Sequence, residues 1–337
     1  MKTMKVVKAF GPQDLRVVEA PVPTPGAGWV RVKVRASGIC GSDKWVWDVA
    51  HEVDSIAGHE IAGEVEMLGA GVTSLVVGDR VMINNVGGCG GCQACRAGAF
   101  VLCPDRSVAQ DVNNGFGEYV IAPAQNCMRL LPGIDFVDGA LIPDNWGTPY
   151  GGLLRADIQA GMDVLVVGCG PIGQAAIALC RAVGAYVIAV DPVKFRREAA
   201  LASGADKAFV PNDLPRAVQL ATNGLGVHTV LECSGFGAAY ETALESLRIG
   251  GSLVAIGEHA NFEFRSSDHV IRRALSIVGS WYSTLPQAGE IMQLALSKRI
   301  NLKSFLTHTI TLEEVPKIFK SIMECEDGIL KCVIVFD

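Results

Sequence analysis

Cys89-Gly-Gly-Cys92-Gln-Ala-Cys95, followed after seven residues by Cys103, sets four thiols at a spacing that can surround one tetrahedral metal ion. Four sulfur ligands leave no open position, so this run predicts a structural site and not a catalytic one. An iron-sulfur or redox electron carrier is the competing reading. Its bacterial motif needs three residues before the final Cys-Pro, whereas seven precede Cys103-Pro104. Chemistry must then come from elsewhere. Gly38-Ile-Cys40-Gly-Ser42-Asp43 and Gly58-His59-Glu60 offer one thiolate and one imidazole from separate turns. With a carboxylate added, such a pair would hold zinc and keep its fourth position open to water or substrate. The plainer alternatives are a thiol serving as a small hydrophobe and a histidine that merely occupies a turn.

A second constellation is Gly168-Cys-Gly170-Pro171-Ile172-Gly173, between the apolar run Asp163 to Val167 and an Ala-rich helical stretch. In that strand-to-helix context the pattern predicts a dinucleotide site. Gly168 would permit the tight turn, Gly170 would admit the pyrophosphate, and Gly173 would let helix and strand approach, with the helix N-terminus facing the phosphates. The next strand ends at Asp191, whose carboxylate suits both ribose hydroxyls and would repel a 2'-phosphate, favouring NAD over NADP.

These groups need a scaffold, and the 337 residues change texture twice. Up to about residue 147, short apolar runs broken by Gly and Pro (29–36, 61–68, 80–84) predict a β-rich domain. Six strand candidates then alternate with helical stretches, at 163–167, 186–190, 207–210, 229–232, 252–256 and 276–278. That alternation predicts a parallel, doubly wound sheet over 148–279. The remainder, with helices over 287–297 and 312–323 and a closing strand over 332–336, is expected to rejoin the first domain, giving 1–147 plus 280–337.

Composition sets limits. Half the residues are hydrophobic, 19% are charged and the net charge is -6, with no cluster of Lys and Arg, so a nucleic-acid partner is not expected. No apolar run approaches the roughly 18 residues of a membrane span, and a cytoplasmic location is the expectation. Eleven cysteines in that setting point to metal binding or free thiols. Cys127, Cys169, Cys180, Cys233, Cys325 and Cys332 lack metal spacing and are expected in the core, while His228, His259, His269 and His308 receive no role.

In family order, Gly-Ile-Cys40-Gly-Ser-Asp, Gly-His59-Glu60-Ile-Ala-Gly-Glu-Val, Gly78-Asp-Arg-Val81, the four-cysteine run, Gly117-Glu-Tyr119 and the glycine motif resemble the zinc-containing medium-chain alcohol and polyol dehydrogenases. The resemblance spans nearly the whole chain. It implies an α/β fold with a GroES-like catalytic domain and a Rossmann domain, two zinc ions per chain, and NAD. Alcohol dehydrogenase is itself the standard example of a Cys2His catalytic zinc site. By resemblance, Cys40 and His59 bind the catalytic zinc, Glu60 lies beside them as a supporting or exchangeable ligand, and Asp144 of Leu141-Ile-Pro-Asp144-Asn145 is the third ligand. The alternative for Asp144 is a helix N-cap before 146–154.

Open zinc lowers the pKa of a coordinated oxygen towards about 7, so an alcohol can surrender a hydride near neutral pH. Ser42 maps onto the family's proton-accepting hydroxyl, Asp43 onto the carboxylate that fixes the His59 tautomer, and Arg196 onto a basic residue near the adenosine ribose. One departure stands out: Trp45 stands where many relatives carry the histidine that ends the proton relay, with His51 of the adjacent loop as a substitute, or else as an ordinary solvated loop histidine. Trp45, Trp47, Asn145, Trp146 and Trp281 are expected around the substrate, with Lys44 and Tyr282 available to hydroxyl groups. That set favours a polyol, cyclitol or sugar over a simple secondary alcohol or an amino alcohol such as threonine. Family members are oligomers, so a homotetramer is expected ahead of a dimer, with the strand near 252–256 pairing across subunits.

Overall fold

Alternation along Trp29–Ile39 buries Val30, Val32 and Val34 and leaves Arg31, Lys33 and Arg35 partly exposed, the period of two that a half-covered strand requires. The computed structural model describes residues 2–105, 111–258, 261–263, 265–324, 326 and 328–337. The expectations for His259 and Cys325 lie outside these residues. Along the chain the strands are β1 (Thr3–Gly11), β2 (Asp14–Pro21), β3 (Trp29–Ile39), β4 (Glu60–Leu68), β5 (Arg80–Ile83), β6 (Tyr119–Pro123) and β7 (Cys127–Arg129). They continue with β8 (Asp163–Val167), β9 (Tyr186–Val190), β10 (Lys207–Phe209), β11 (Val227–Glu232), β12 (Leu247–Ala255) and β13 (Ser276–Gly279). β14 (Leu306–Ile310) and β15 (Lys331–Val335) close the chain.

Two compact units result. The first comprises Met1–Asp144, Ser283–Ser297 and Leu306–Asp337. Its main sheet runs β14-β15-β3-β4-β5-β7, with β6 also on β3, and β1 and β2 form a separate antiparallel pair. β15 pairs antiparallel with β3, setting Cys332 opposite Ile39, so the end of the chain lies against the strand that leads into Cys40. One core gathers Val6, Trp47, Phe116, Val315 and Phe319, and a second gathers Val30, Val32, Ile61, Val81 and Val120.

The second unit comprises Asn145–Tyr282 and Lys298–Phe305. Its six parallel strands lie in the order β10-β9-β8-β11-β12-β13. β8 is buried at four successive positions, as a central parallel strand covered on both faces must be. Because the chain leaves outward from β8 and returns to β11 on its other side, a topological switch point falls between these strands.

Two expectations change. Residues 298–305 group with the second unit, since the fully buried Trp146 donates its indole N–H to the Leu302 carbonyl (3.1 Å) and lies 5.5 Å from the Phe305 ring. The strand at 252–256 is hydrogen-bonded on both sides, by β11 and β13, and cannot pair with another subunit; β13 is the edge strand at that end of the sheet. Among the described residues no helix is long and apolar enough to cross a membrane.

Candidate metal centre and cofactor turn

β3 ends at Ile39, and Cys40 follows in extended conformation before a 3-10 turn over Gly41–Asp43. The turn buries Asp43 completely, and one of its oxygens accepts the Cys40 N–H at 2.9 Å. Its other oxygen lies 3.2 Å from His59 Nδ1. Asp43 thus joins the two turns and directs His59 Nε2 the other way, to within 3.2 Å of an Asp144 oxygen. That same oxygen lies 3.7 Å from Cys40 Sγ. Asp144 is carried on a π-helical turn, Ile142–Trp146, after the helix Phe136–Leu141. Pro143 lacks the N–H that would continue a regular helix, so widening at this point has a local cause. The helix after the turn is Gly147–Arg155 with Trp146 at its N-cap, which removes the N-cap alternative for Asp144.

Ligand atoms of Cys40, His59, Glu60 and Asp144 all lie within 4.8 Å of one another. Glu60, fully buried, is salt-bridged to Lys331 Nζ at 2.5 Å, and Lys331 also donates to the Ile39 carbonyl at 2.9 Å. Gly38 makes this possible: a Cβ there would come within 1.9 Å of Glu60 Oε2. Burial pushes the Glu60 carboxyl above its ordinary range, against the pull of Lys331. Burial also opposes protonation of His59, but the Asp43 charge and hydrogen bonds to Asp144 and Asp43 hold the imidazole well above its ordinary value. One thiol, one imidazole and one carboxylate form a donor set that zinc takes with a position to spare. The residues fit a catalytic zinc ion.

Cys89, Cys92, Cys95 and Cys103 likewise converge within 4.8 Å. Backbone N–H groups point at the sulfurs, Cys95 N at Cys92 Sγ (3.4 Å) and Cys89 N at Cys103 Sγ (3.3 Å). Amides of Gly91 and Cys92 draw the Cys89 thiol down to about 7, whereas burial drives Cys95 up to about 12. Amides aimed at sulfur stabilise thiolate charge, as a closed four-sulfur zinc site requires.

In the second unit the glycine motif joins β8 to the helix Pro171–Val183. Gly168 has φ +86°, and a Cβ on Gly173 would come within 1.9 Å of the Gly168 carbonyl oxygen. A Cβ on Gly170 would meet nothing within 4 Å, so that side of the turn is open to an approaching phosphate. Asp191 does more than the sequence suggests. Its two oxygens accept the N–H groups of Cys169 and Val193, each at 2.8 Å, and Arg196 lies 4.0 Å away.

The expected pocket residues divide. Trp45 and Trp281 are 44% and 41% exposed, and Ser42 and His51 are exposed. Trp47 instead belongs to a core, 5.5 Å from the Phe319 ring, and Trp146 and Asn145 are buried as well. Tryptophan content marks apolar bulk and cannot tell a pocket wall from a core, so Trp47 and Trp146 are corrected to core residues. Lys331 escaped sequence reading because a lysine opening an apolar strand reads as an exposed strand end. Lys44 pairs with Asp48 on the surface, at 3.9 Å.

Family models match two segments, the alcohol dehydrogenase GroES-like domain over residues 26–132 and the zinc-binding dehydrogenase domain over residues 171–297. An L-threonine 3-dehydrogenase of Pyrococcus abyssi is 33% identical, covering 90% of both chains. A sorbitol dehydrogenase of Halalkalibacterium halodurans is 32% identical, covering 94% of both. The solved structure of alcohol dehydrogenase TADH from Thermus sp. ATN1 matches with a TM-score of 0.88 at 27% identity, covering 99% of this chain and 100% of that one. With both domains matched in order and the ligand residues brought together, the chain belongs to the zinc-containing medium-chain dehydrogenase family.

Proposed function

We propose that the protein oxidises a secondary alcohol of the polyol, cyclitol or sugar class to a ketone with NAD+, using one catalytic zinc ion and keeping a second as structure. The observation that carries this reading is the convergence of Cys40, His59 and Asp144 within 4.8 Å, with His59 oriented by Asp43. Zinc held there would supply Lewis acidity towards a substrate oxygen, and NAD+ would supply the hydride acceptor. Cys40, His59 and Asp144 would hold that zinc, with Glu60 beside them. Asp43 keeps the proton on His59 Nδ1 so that Nε2 is free to ligate. Ser42, exposed on the turn next to Cys40, receives the hydroxyl proton and passes it towards solvent.

Gly168, Gly170, Pro171, Ile172 and Gly173 would cradle the pyrophosphate at the helix N-terminus, with Asp191 at the ribose and Arg196 beside it. The exposed indole of Trp45, five residues after Cys40, supports a substrate with an apolar ring face. The reading extends to a cytoplasmic homo-oligomer, a tetramer ahead of a dimer. Support for assembly comes from edge strand β13, where Ile277 is 42% exposed and backbone groups are left for pairing.

A screen of NAD+ reduction over polyols, inositols, sugars, simple secondary alcohols and threonine, with NADP+ as control, tests the proposal. Turnover of threonine or simple alcohols alone would replace the substrate class. Absence of any zinc-dependent turnover would remove the dehydrogenase reading, and light scattering on the purified protein reads the assembly.

A further inference from the structure

Asp144 projects from the π-helical turn Ile142–Trp146 and not from a strand end. Something must hold that turn. Ser283, fully buried, donates its hydroxyl to the Pro143 carbonyl at 2.9 Å, one residue before Asp144. Ser283 is itself pinned: its carbonyl accepts the Asn84 side-chain amide at 2.8 Å. Asn84 is fixed in turn by Asn126, whose amide donates to the carbonyls of Asn84 (2.7 Å) and Val86 (2.9 Å). All three polar side chains are buried. On the other side of Ser283, Thr284 caps the helix Leu285–Leu296, and the Leu285 N–H donates to the Gly98 carbonyl (2.8 Å) within the cysteine lobe.

Hydrogen bonds from buried polar side chains therefore link the residues just after β5 through Ser283 to the backbone that carries Asp144, and the next residues of the chain tie Ser283 to the lobe. We propose that Ser283 is a positioning residue for the catalytic metal: it fixes the Pro143 carbonyl and thereby aims the Asp144 carboxylate at Cys40 and His59. This rests on the reading of those three residues as zinc ligands. Supporting partners that orient metal ligands are worth roughly 10–100-fold in metal affinity, and Ser283, acting through one intervening residue, falls at the lower end.

The test follows chelator-driven zinc release from the zinc-loaded protein, with a coloured chelator and no substrate. Two phases are expected, and the phase missing from Cys40→Ser identifies the catalytic site. In Ser283→Ala that phase accelerates about tenfold while the lobe phase and the melting temperature stay near wild type. Ser283→Cys, close in size and a weaker donor, gives an intermediate rate and serves if the alanine variant does not fold. Wild-type release in both variants overturns the proposal, as does equal acceleration of both phases, which would mean general loosening. Asp144→Asn separates the two layers of inference. If it too releases zinc at the wild-type rate, the ligand assignment falls and takes the Ser283 role with it. If it loses the zinc while the Ser283 variants keep theirs, only the Ser283 proposal fails.

Discussion

Lys331 Nζ and Glu60 Oε1 form an ion pair 2.5 Å apart in which neither side chain is more than 1% exposed, and a Glu60 oxygen lies within 4.8 Å of ligand atoms of Cys40, His59 and Asp144. Each charge is tolerable only because the other is there. Replacing Lys331 by Met leaves a buried carboxylate without its cation. Destabilisation of about 3–5 kcal/mol is expected in urea unfolding, and adding Glu60→Gln should recover much of it. The pH sign follows from Lys331, whose ammonium is hard to bury but is held above its ordinary 10.5 by the Glu60 charge. Its contribution is complete below that ordinary value and is lost as pH rises through the higher folded value. A single variant as stable as wild type would show that the pair carries no weight.

Cys40→Ser and His59→Ala should each reduce the zinc content from two ions per chain to one and abolish turnover, because the two ligand groups are separate. Circular dichroism and cofactor binding should remain near wild type. A variant that keeps both zinc ions, or full activity, contradicts the assignment of the open site.

Asp191 holds the Cys169 and Val193 amides with its two oxygens, and the proposed reading gives the same carboxylate a second task at the ribose. Asp191→Ser should raise KM for NAD+ about 10–100-fold, the worth of charged hydrogen bonds, and narrow the gap to NADP+. Steady-state kinetics with both cofactors checks this. A wild-type enzyme that prefers NADP+ sinks the argument before any mutation is made.

The four-cysteine lobe should fail in the opposite order from the open site. Cys95→Ser is expected to lose one zinc ion and lower the melting temperature or assembly first, with activity falling only as the fold does. Acid acts in the same direction. Zinc binds thiolates, so protonation competes with it; the Cys89 thiol, drawn to about 7 by neighbouring amides, takes up its proton as pH falls through that region. Lobe zinc should therefore leave more readily at about pH 6 than at about pH 8, as metal-release titration can show.

Much of this protein is written locally. Spacing alone announced the cysteine tetrad, and the periods of Trp29–Ile39 and Asp163–Val167 announced strands of different burial, because alternation and continuous apolar runs report how many faces a strand covers. The glycine motif was legible because each glycine answers a backbone constraint, here a φ of +86° at Gly168 and a 1.9 Å approach at Gly173. Contacts between distant segments were not legible. Lys331 reaches Glu60 across 271 positions, Ser283 reaches Pro143 across 140, and Trp146 claims Leu302 across 156, pulling residues 298–305 into the second unit. No local pattern records such partners, since a buried lysine, serine or tryptophan looks the same in sequence as an exposed one. The residue types that bind metal and cofactor were set by the sequence itself, while the ion pair and hydrogen bonds that hold them in place were decided by tertiary structure, where desolvation makes each buried polar group depend on one particular partner.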